Sequence, residues 1–150
     1  MINIFQPSLG NQELKAVKKV FESNWLGRGD VVQEFEEKFS DNLNSDKRNF
    51  YAITSCTEGL FLAAELFNFQ PGDEIIVPTV SFIAVGSAVV DSGAKLVLCD
   101  VDKHSLNATA ETISNKITNN TKAIILNHYG GHPCDMNDIL KLAKKHGIYI

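Results

Sequence analysis

Three short stretches carry residue types from which chemistry can be built. The first is Ser55-Cys56-Thr57-Glu58-Gly59, small hydroxyl and thiol side chains between the apolar run Tyr51 to Thr54 and a helical pattern that begins near Thr57. A helix starting there leaves its first N–H groups without intrahelical partners and turns the positive end of its dipole to the loop. That is a setting for an anion, phosphate above all. The same letters also meet a plainer need, because Ser55-x-x-Glu58 is a capping box and would explain both residues by itself. No Gly-x-Gly-x-x-Gly, Walker A or Gly-x-Ser-x-Gly pattern occurs, which argues against a Rossmann dinucleotide site and against Ser55 as a nucleophile. The second stretch is Pro78-Thr79-Val80-Ser81-Phe82, where Phe82 opens a helix and offers either an aromatic face to a planar ligand or a side chain to the core. The third is His128-Tyr129-Gly130-Gly131-His132-Pro133-Cys134. Its imidazoles and thiol are metal-ligand types, but a Gly-Gly-x-Pro loop has no regular ligand spacing and there is no second cluster. The expectation is no metal, with His128 lining a pocket for a cofactor. His104 and His146 fall at a turn and a helix end, where they are simply solvated.

These stretches need elements to hold them. Asn11 to Ser23 places Leu14, Val17, Val20 and Phe21 on one helical face, and Val31 to Leu43 repeats the pattern with Val31, Phe35, Phe39 and Leu43. Between them lies the glycine-punctuated loop Trp25-Leu26-Gly27-Arg28-Gly29. From Phe50 the rhythm changes. Strand-like runs at Tyr51 to Thr54, Ile75 to Pro78, Leu96 to Cys99, Ala123 to Asn127 and Ile148 to Ile150 alternate with helical runs near Thr57 to Phe67, Phe82 to Asp91, Ala110 to Ile117 and Met136 to His146. Nearly continuous apolar strands separated by helices predict an α/β fold, a mostly parallel sheet covered by helices on both faces. Asp135 reads as the N-cap and Gly147 as the C-cap of the last helix. The expected organisation is a helical segment over 1–45 and an α/β domain over 46–150, whose last strand, cut after Ile150, reads as the front portion of a longer design. In such sheets ligands gather at the carboxyl ends of the strands, which is where all three stretches fall.

The chain has 150 residues, 44% of them hydrophobic and 21% charged, a globular balance with material for one ordinary core. A net charge of −4 gives no basic footprint for nucleic acid, and no apolar run is long enough to span a bilayer. The first residues lack a basic segment and long apolar core of the secretory type, and Cys56, Cys99 and Cys134 are odd in number and far apart, so a cytoplasmic protein with reduced thiols is expected. Arg28 to Asp30 and the sequons at Asn107 and Asn119 are short enough to arise by chance.

In order and spacing these pieces resemble the DegT/DnrJ/EryC1/StrS family of nucleotide-sugar aminotransferases that depend on pyridoxal 5'-phosphate (PLP). The resemblance is carried by Gly27-Arg28-Gly29 with Val32-Gln33-Glu34-Phe35-Glu36, then Thr54-Ser55-Cys56-Thr57-Glu58-Gly59-Leu60, then Pro71-Gly72-Asp73-Glu74-Ile75-Ile76-Val77-Pro78 with Phe82 beyond. It continues through Gly93-Ala94, Asp100-Val101-Asp102, Leu106-Asn107, Thr121-Lys122-Ala123-Ile124, and His128 through Asp135-Met136. It implies the N-terminal part of the large domain of a fold type I PLP enzyme. Ser55, Cys56 and Thr57 are then the phosphate anchor, through the amides of Cys56 and Thr57 and the Thr57 hydroxyl. Phe82 stacks on the pyridine ring, and His128 lies near the cofactor. Cys56 stands where glycine is common, and Glu58 sits at a variable position where it has to turn away from a phosphate. The implied reaction moves an amino group, commonly from glutamate, to a keto sugar nucleotide for deoxyaminosugar and surface polysaccharide synthesis, in a homodimer. The family's lysine and its carboxylate for the pyridinium nitrogen match nothing in residues 1–150, so no catalytic residue is expected there and the 150 residues alone are expected to be inactive. The alternatives are a PLP- or phosphate-binding fragment without chemistry, and a sugar dehydratase relative that uses the same cofactor.

Overall fold

The computed structural model describes residues 6–150. The chain forms two compact units, Met1–Ala52 and Ile53–Ile150. In the first, α1 (Asn11–Glu22) and α2 (Asp30–Asn42) follow the two amphipathic patterns within a residue at each end. Helix α1 starts where the Glu13 carboxylate reaches back to accept the Gly10 N–H at 2.7 Å. It stops at Asn24, whose φ of 55° is a left-handed conformation that asparagine tolerates. The apolar stripes stay open: Leu14, Val17, Phe21, Val31 and Phe35 are all exposed. Phe39 has aromatic neighbours on both sides, 5.9 Å from Phe35 and 5.4 Å from Phe50 by ring centroid.

What orders this unit is a buried carboxylate. Glu36 accepts the Ala52 N–H at 2.7 Å on Oε1 and the Arg28 guanidinium at 2.6 Å on Oε2. Arg28 in turn lies 4.4 Å above the Tyr51 ring, and its carbonyl accepts the Trp25 indole N–H at 3.0 Å. The expected strand at Tyr51 to Thr54 is therefore absent. Its backbone is held by a side chain from α2, and no strand pairs with it among the described residues.

In the second unit, α3 (Cys56–Leu66) precedes a three-stranded sheet of β1 (Glu74–Pro78), β2 (Lys95–Cys99) and β3 (Thr121–Ile124). The order is β2-β1-β3, all parallel, with Ile76 opposite Val97 on one side and Ile124 on the other. Helices α4 (Ile83–Asp91), α5 (Ala110–Ser114) and α6 (Met136–His146) make the connections. Because side chains alternate along a strand, central β1 feeds two cores. Ile76 packs with Cys99, Ile113, Ile124 and Ile139; Ile75 and Val77 pack with Val89, Ala94 and Ala123. Gly147 ends α6 in the left-handed conformation at φ 66°, as its position predicts, while Asp135 holds the N-cap place without a side-chain cap bond. Strand β3 is shorter than its apolar run, and Ile148 to Ile150 makes one parallel bridge, Tyr149 to Ala123. Among the described residues no helix is long and apolar enough to cross a membrane.

At the amino edge of the sheet, buried Glu74 accepts the Lys95 ammonium at 2.8 Å and the Thr118 hydroxyl at 2.5 Å. These donors hold its carboxyl below the usual carboxylate range. A folded-state value below the unfolded one stabilises the fold at pH above the unfolded value, and the contribution drains away as pH falls through the folded value. The urea midpoint is thus expected to drop on acidification through and below the ordinary carboxylate range, and Glu74→Gln is expected to flatten that slope. An unchanged slope in the variant would mean that Lys95 and Thr118 leave the carboxylate's stability unaltered.

Candidate cofactor site

Parallel pairing puts the carboxyl ends of β1 and β3 on one edge of the sheet. Helix α3 leads back into β1 and begins with Ser55 as N-cap. Its intrahelical ladder opens with Gly59 N–H donating to the Ser55 carbonyl at 3.2 Å, and Ser55 Oγ accepts the Glu58 N–H at 3.1 Å. That leaves the N–H groups of Cys56 and Thr57, the first two helical residues, for a ligand. Both side chains are exposed. The other half of the expected capping box does not form: the Glu58 carboxylate accepts the Thr54 hydroxyl instead of the Ser55 N–H. A hydroxyl four residues back thus keeps the acid occupied at the start of the helix. Gly59 has a packing reason of its own, since a Cβ there would come within 2.6 Å of Ile53 Cδ1.

Phe82 is the N-cap residue of α4, just beyond β1, and is 68% exposed. Its ring belongs to neither core cluster. His128 is exposed just beyond β3, ahead of a 3-10 turn at Tyr129–Gly131, and Gly130 and Gly131 adopt φ of 62° and 78°, which glycine alone takes at no cost. The loops of Phe82 and His128 meet: Asn127 Nδ2 donates to the Val80 carbonyl at 3.3 Å. Ser55 to Thr57, the expected anchor, start the helix that precedes β1, so all five expected residues lie on loops or helix starts of one unit.

Side chains to which no role was given organise these loops. Asn107, buried, accepts the Tyr129 N–H at 2.9 Å and donates to the His132 carbonyl at 2.9 Å. Cys134 donates its N–H to His128 Nδ1 at 3.2 Å and its thiol to the Asn127 carbonyl at 3.5 Å. Burial pushes the Cys134 thiol up from its ordinary value, and the Cys99 thiol up to about 11. An apolar pocket of about 340 Å³ between α3 and β3 is lined by Leu60, Phe67, Leu126, Met136 and Tyr149, and by His128 alone of the expected site residues.

The second unit is a parallel α/β sheet with a helix N-terminus, an exposed aromatic and a hydrogen-bonded imidazole on its loops. The model of the DegT/DnrJ/EryC1/StrS aminotransferase family matches residues 7–150, and the chain belongs to that family. It is 39% identical over 150 residues to a dTDP-4-dehydro-2,3,6-trideoxy-D-glucose 4-aminotransferase of Saccharopolyspora spinosa, covering 100% of this chain and 39% of that protein. The crystal structure of the aminotransferase TlmJ from Streptoalloteichus hindustanus superposes with a TM-score of 0.93 at 44% identity, over 99% of this chain and 40% of that one. An E. coli GDP-4-keto-6-deoxy-D-mannose-3-dehydratase with bound hydrated PLP matches with a TM-score of 0.84 at 28% identity, over 99% and 40%. The chain thus spans about two fifths of the relatives it matches.

Proposed function

We propose that this chain is the cofactor-anchoring part of a PLP-dependent aminotransferase that moves an amino group from glutamate to the keto group of a nucleotide-linked sugar, in the synthesis of deoxyaminosugars and surface polysaccharide. The observation that carries the reading is the start of α3. Two unclaimed N–H groups and an exposed hydroxyl sit there within a family match that covers the whole segment. The donor set suits a phosphate: Cys56 and Thr57 offer amides, Thr57 a hydroxyl, and the Glu58 carboxylate is engaged with Thr54. Phe82 would lie against the pyridine ring, and His128 would face the cofactor from beyond β3. When bound, PLP supplies the electron sink for amino transfer, and the protein's part is to hold and orient it.

The residues of this chain bind but do not transfer. Its lysines lie on helices, at the starts of β2 and β3, or in polar turns, and Lys95 is paired with Glu74. We place the protein in the cytoplasm, on its three scattered cysteines, and as a homodimer, on the family resemblance. A second reading, a sugar dehydratase, is favoured by the match to the E. coli dehydratase. Incubating the full-length protein with PLP, glutamate and a nucleotide-linked 4-keto-6-deoxy sugar separates the two. Amino sugar with matching 2-oxoglutarate supports the transferase, and a nitrogen-free, deoxygenated sugar supports the dehydratase.

The anchor itself has a chemical reporter. Of the three cysteines only Cys56 is exposed; Cys99 and Cys134 are buried. Iodoacetamide is expected to modify Cys56 and spare the other two in the native protein, and PLP is expected to slow that modification in proportion to occupancy. Equal rates with and without saturating PLP would place the cofactor phosphate away from α3.

A further inference from the structure

We propose that Asn107 is the positioning residue for His128: it grips the turn after β3 so that His128 is held in a single tautomer, with Nδ1 occupied and Nε2–H left as its donor. Both functional ends of one planar amide close on that turn. Oδ1 takes the Tyr129 N–H and Nδ2 gives to the His132 carbonyl, each at 2.9 Å. The turn is also closed from within, by Gly131 N–H to the His128 carbonyl at 3.0 Å and His132 N–H to the Tyr129 carbonyl at 3.0 Å. Fixed in this way, the chain delivers the Cys134 N–H to His128 Nδ1 at 3.2 Å. A backbone N–H is only a donor, so Nδ1 must carry its lone pair, and the proton of the neutral imidazole resides on Nε2.

The grip is itself rigid. Asn107 is 3% exposed and follows Leu106, whose φ of 57° is a conformation that leucine rarely adopts. A tight loop enforces that backbone: the Asp102 N–H donates to the Asn107 carbonyl at 2.9 Å and the Leu106 N–H to the Asp102 carbonyl at 2.8 Å. The Asp102 carboxylate meanwhile accepts the N–H groups of His104 and Ser105 at 3.0 and 2.8 Å. Deformation of this loop would be passed to His128 through one amide. The ring nitrogen left over, Nε2, then carries a proton and offers a hydrogen-bond donor rather than a base. The tautomer stands on the geometry alone; that the ligand is PLP rests on the function proposed above.

The test uses the full-length protein with histidine labelled in ¹⁵N, at a pH above the imidazole range, first without cofactor. The His128 signal, assigned by its loss in His128→Gln, is expected to show a pyridine-type Nδ1 and a pyrrole-type Nε2. Asn107→Ala is expected to collapse it toward a tautomer mixture and to weaken PLP binding about fivefold to tenfold, the scale of one misplaced hydrogen bond. An Nδ1–H tautomer or a mixture in the wild-type protein overturns the proposal, even if the variant fails to fold. A folded Asn107→Ala protein with the wild-type signal overturns it as well. If the wild-type protein takes up no PLP, the proposed function falls, and the tautomer measured without cofactor still decides the role of Asn107.

Discussion

Thr57→Glu is expected to abolish useful PLP binding while leaving the cofactor-free protein as stable as before. Position 57 is the second residue of α3 and is exposed, so a longer side chain meets no steric conflict. An acid in the first turn of a helix interacts favourably with the dipole by about 0.3–1 kcal/mol, so thermal stability without cofactor should hold or rise slightly. The same carboxylate would lie beside a phosphate. At about 4 Å and an effective dielectric of about 20, one pair of like charges costs about 4 kcal/mol, which lowers affinity by a factor on the order of 1000. Thr57→Gln is the neutral control. It matches the length of Glu without the charge, and the loss of the Thr57 hydroxyl is worth about 1 kcal/mol or roughly fivefold in affinity. Titrating both full-length variants with PLP by absorbance, and melting both without it, checks the two halves together. Equal PLP affinity in the Glu and Gln variants would remove the phosphate from this helix.

The wild-type sequence already places an acid one residue further on, and the structure shows how a helix start can carry it. Ser55-x-x-Glu58 has the letters of a capping box, but only Ser55 plays its part, because Thr54 competes for the carboxylate. Local pattern predicts that a partner will be found, not which one.

The same distinction separates what was legible from what was not. Strand β1 is legible because a strand buried along its whole length reads as an apolar run, and β2 because Leu96 to Cys99 repeats that run although Leu98 is exposed; helices α1, α2 and α6 are legible because a 3.6-residue period and a glycine C-cap are local properties. Tyr-Ala-Ile-Thr has strand composition, yet its backbone hydrogen bond goes to Glu36, sixteen residues earlier. Asn107 reaches 22 and 25 residues along the chain, so no window of sequence shows what its amide holds. For Phe82, residue type alone favours a core side chain; the way α4 packs, with Ala84, Ala88 and Val89 inward, leaves Phe82 outside. In the sequence Asn107 is one polar residue among several in a strand connection; its burial and the left-handed backbone before it belong to the folded chain.

Ile76→Ala is expected to carry the largest stability loss in the sheet, and to spare cofactor affinity in the molecules that fold. Ile76 is fully buried at the centre of β1, paired with Val97 and Ile124 on its two sides and packed on Ile113 and Ile139. Removing three carbons forfeits their transfer energy and leaves a cavity that two neighbouring strands and two helices cannot all collapse to fill. The cost is about 2–5 kcal/mol, against about 0.5–1.5 for Ile76→Val. Ile83→Ala, at a side chain 77% exposed in the first turn of α4, is the contrasting substitution and should move stability by no more than about 0.5 kcal/mol. Against a total of about 5–15 kcal/mol, the Ile76→Ala loss also lowers the yield of folded protein. Ile76 lies two residues inside the carboxyl end of β1, while Val80, tied to Asn127, and Phe82 lie beyond it. The surviving folded molecules should therefore present the same loops to PLP. Urea midpoints for the three variants, with PLP titrations on the folded fraction of each, test both claims. An Ile76→Ala midpoint no lower than that of Ile83→Ala would contradict the two-sided burial of β1, and a weakened PLP affinity in the folded fraction would show that the core of the sheet, and not the loop contacts alone, sets the geometry of the site.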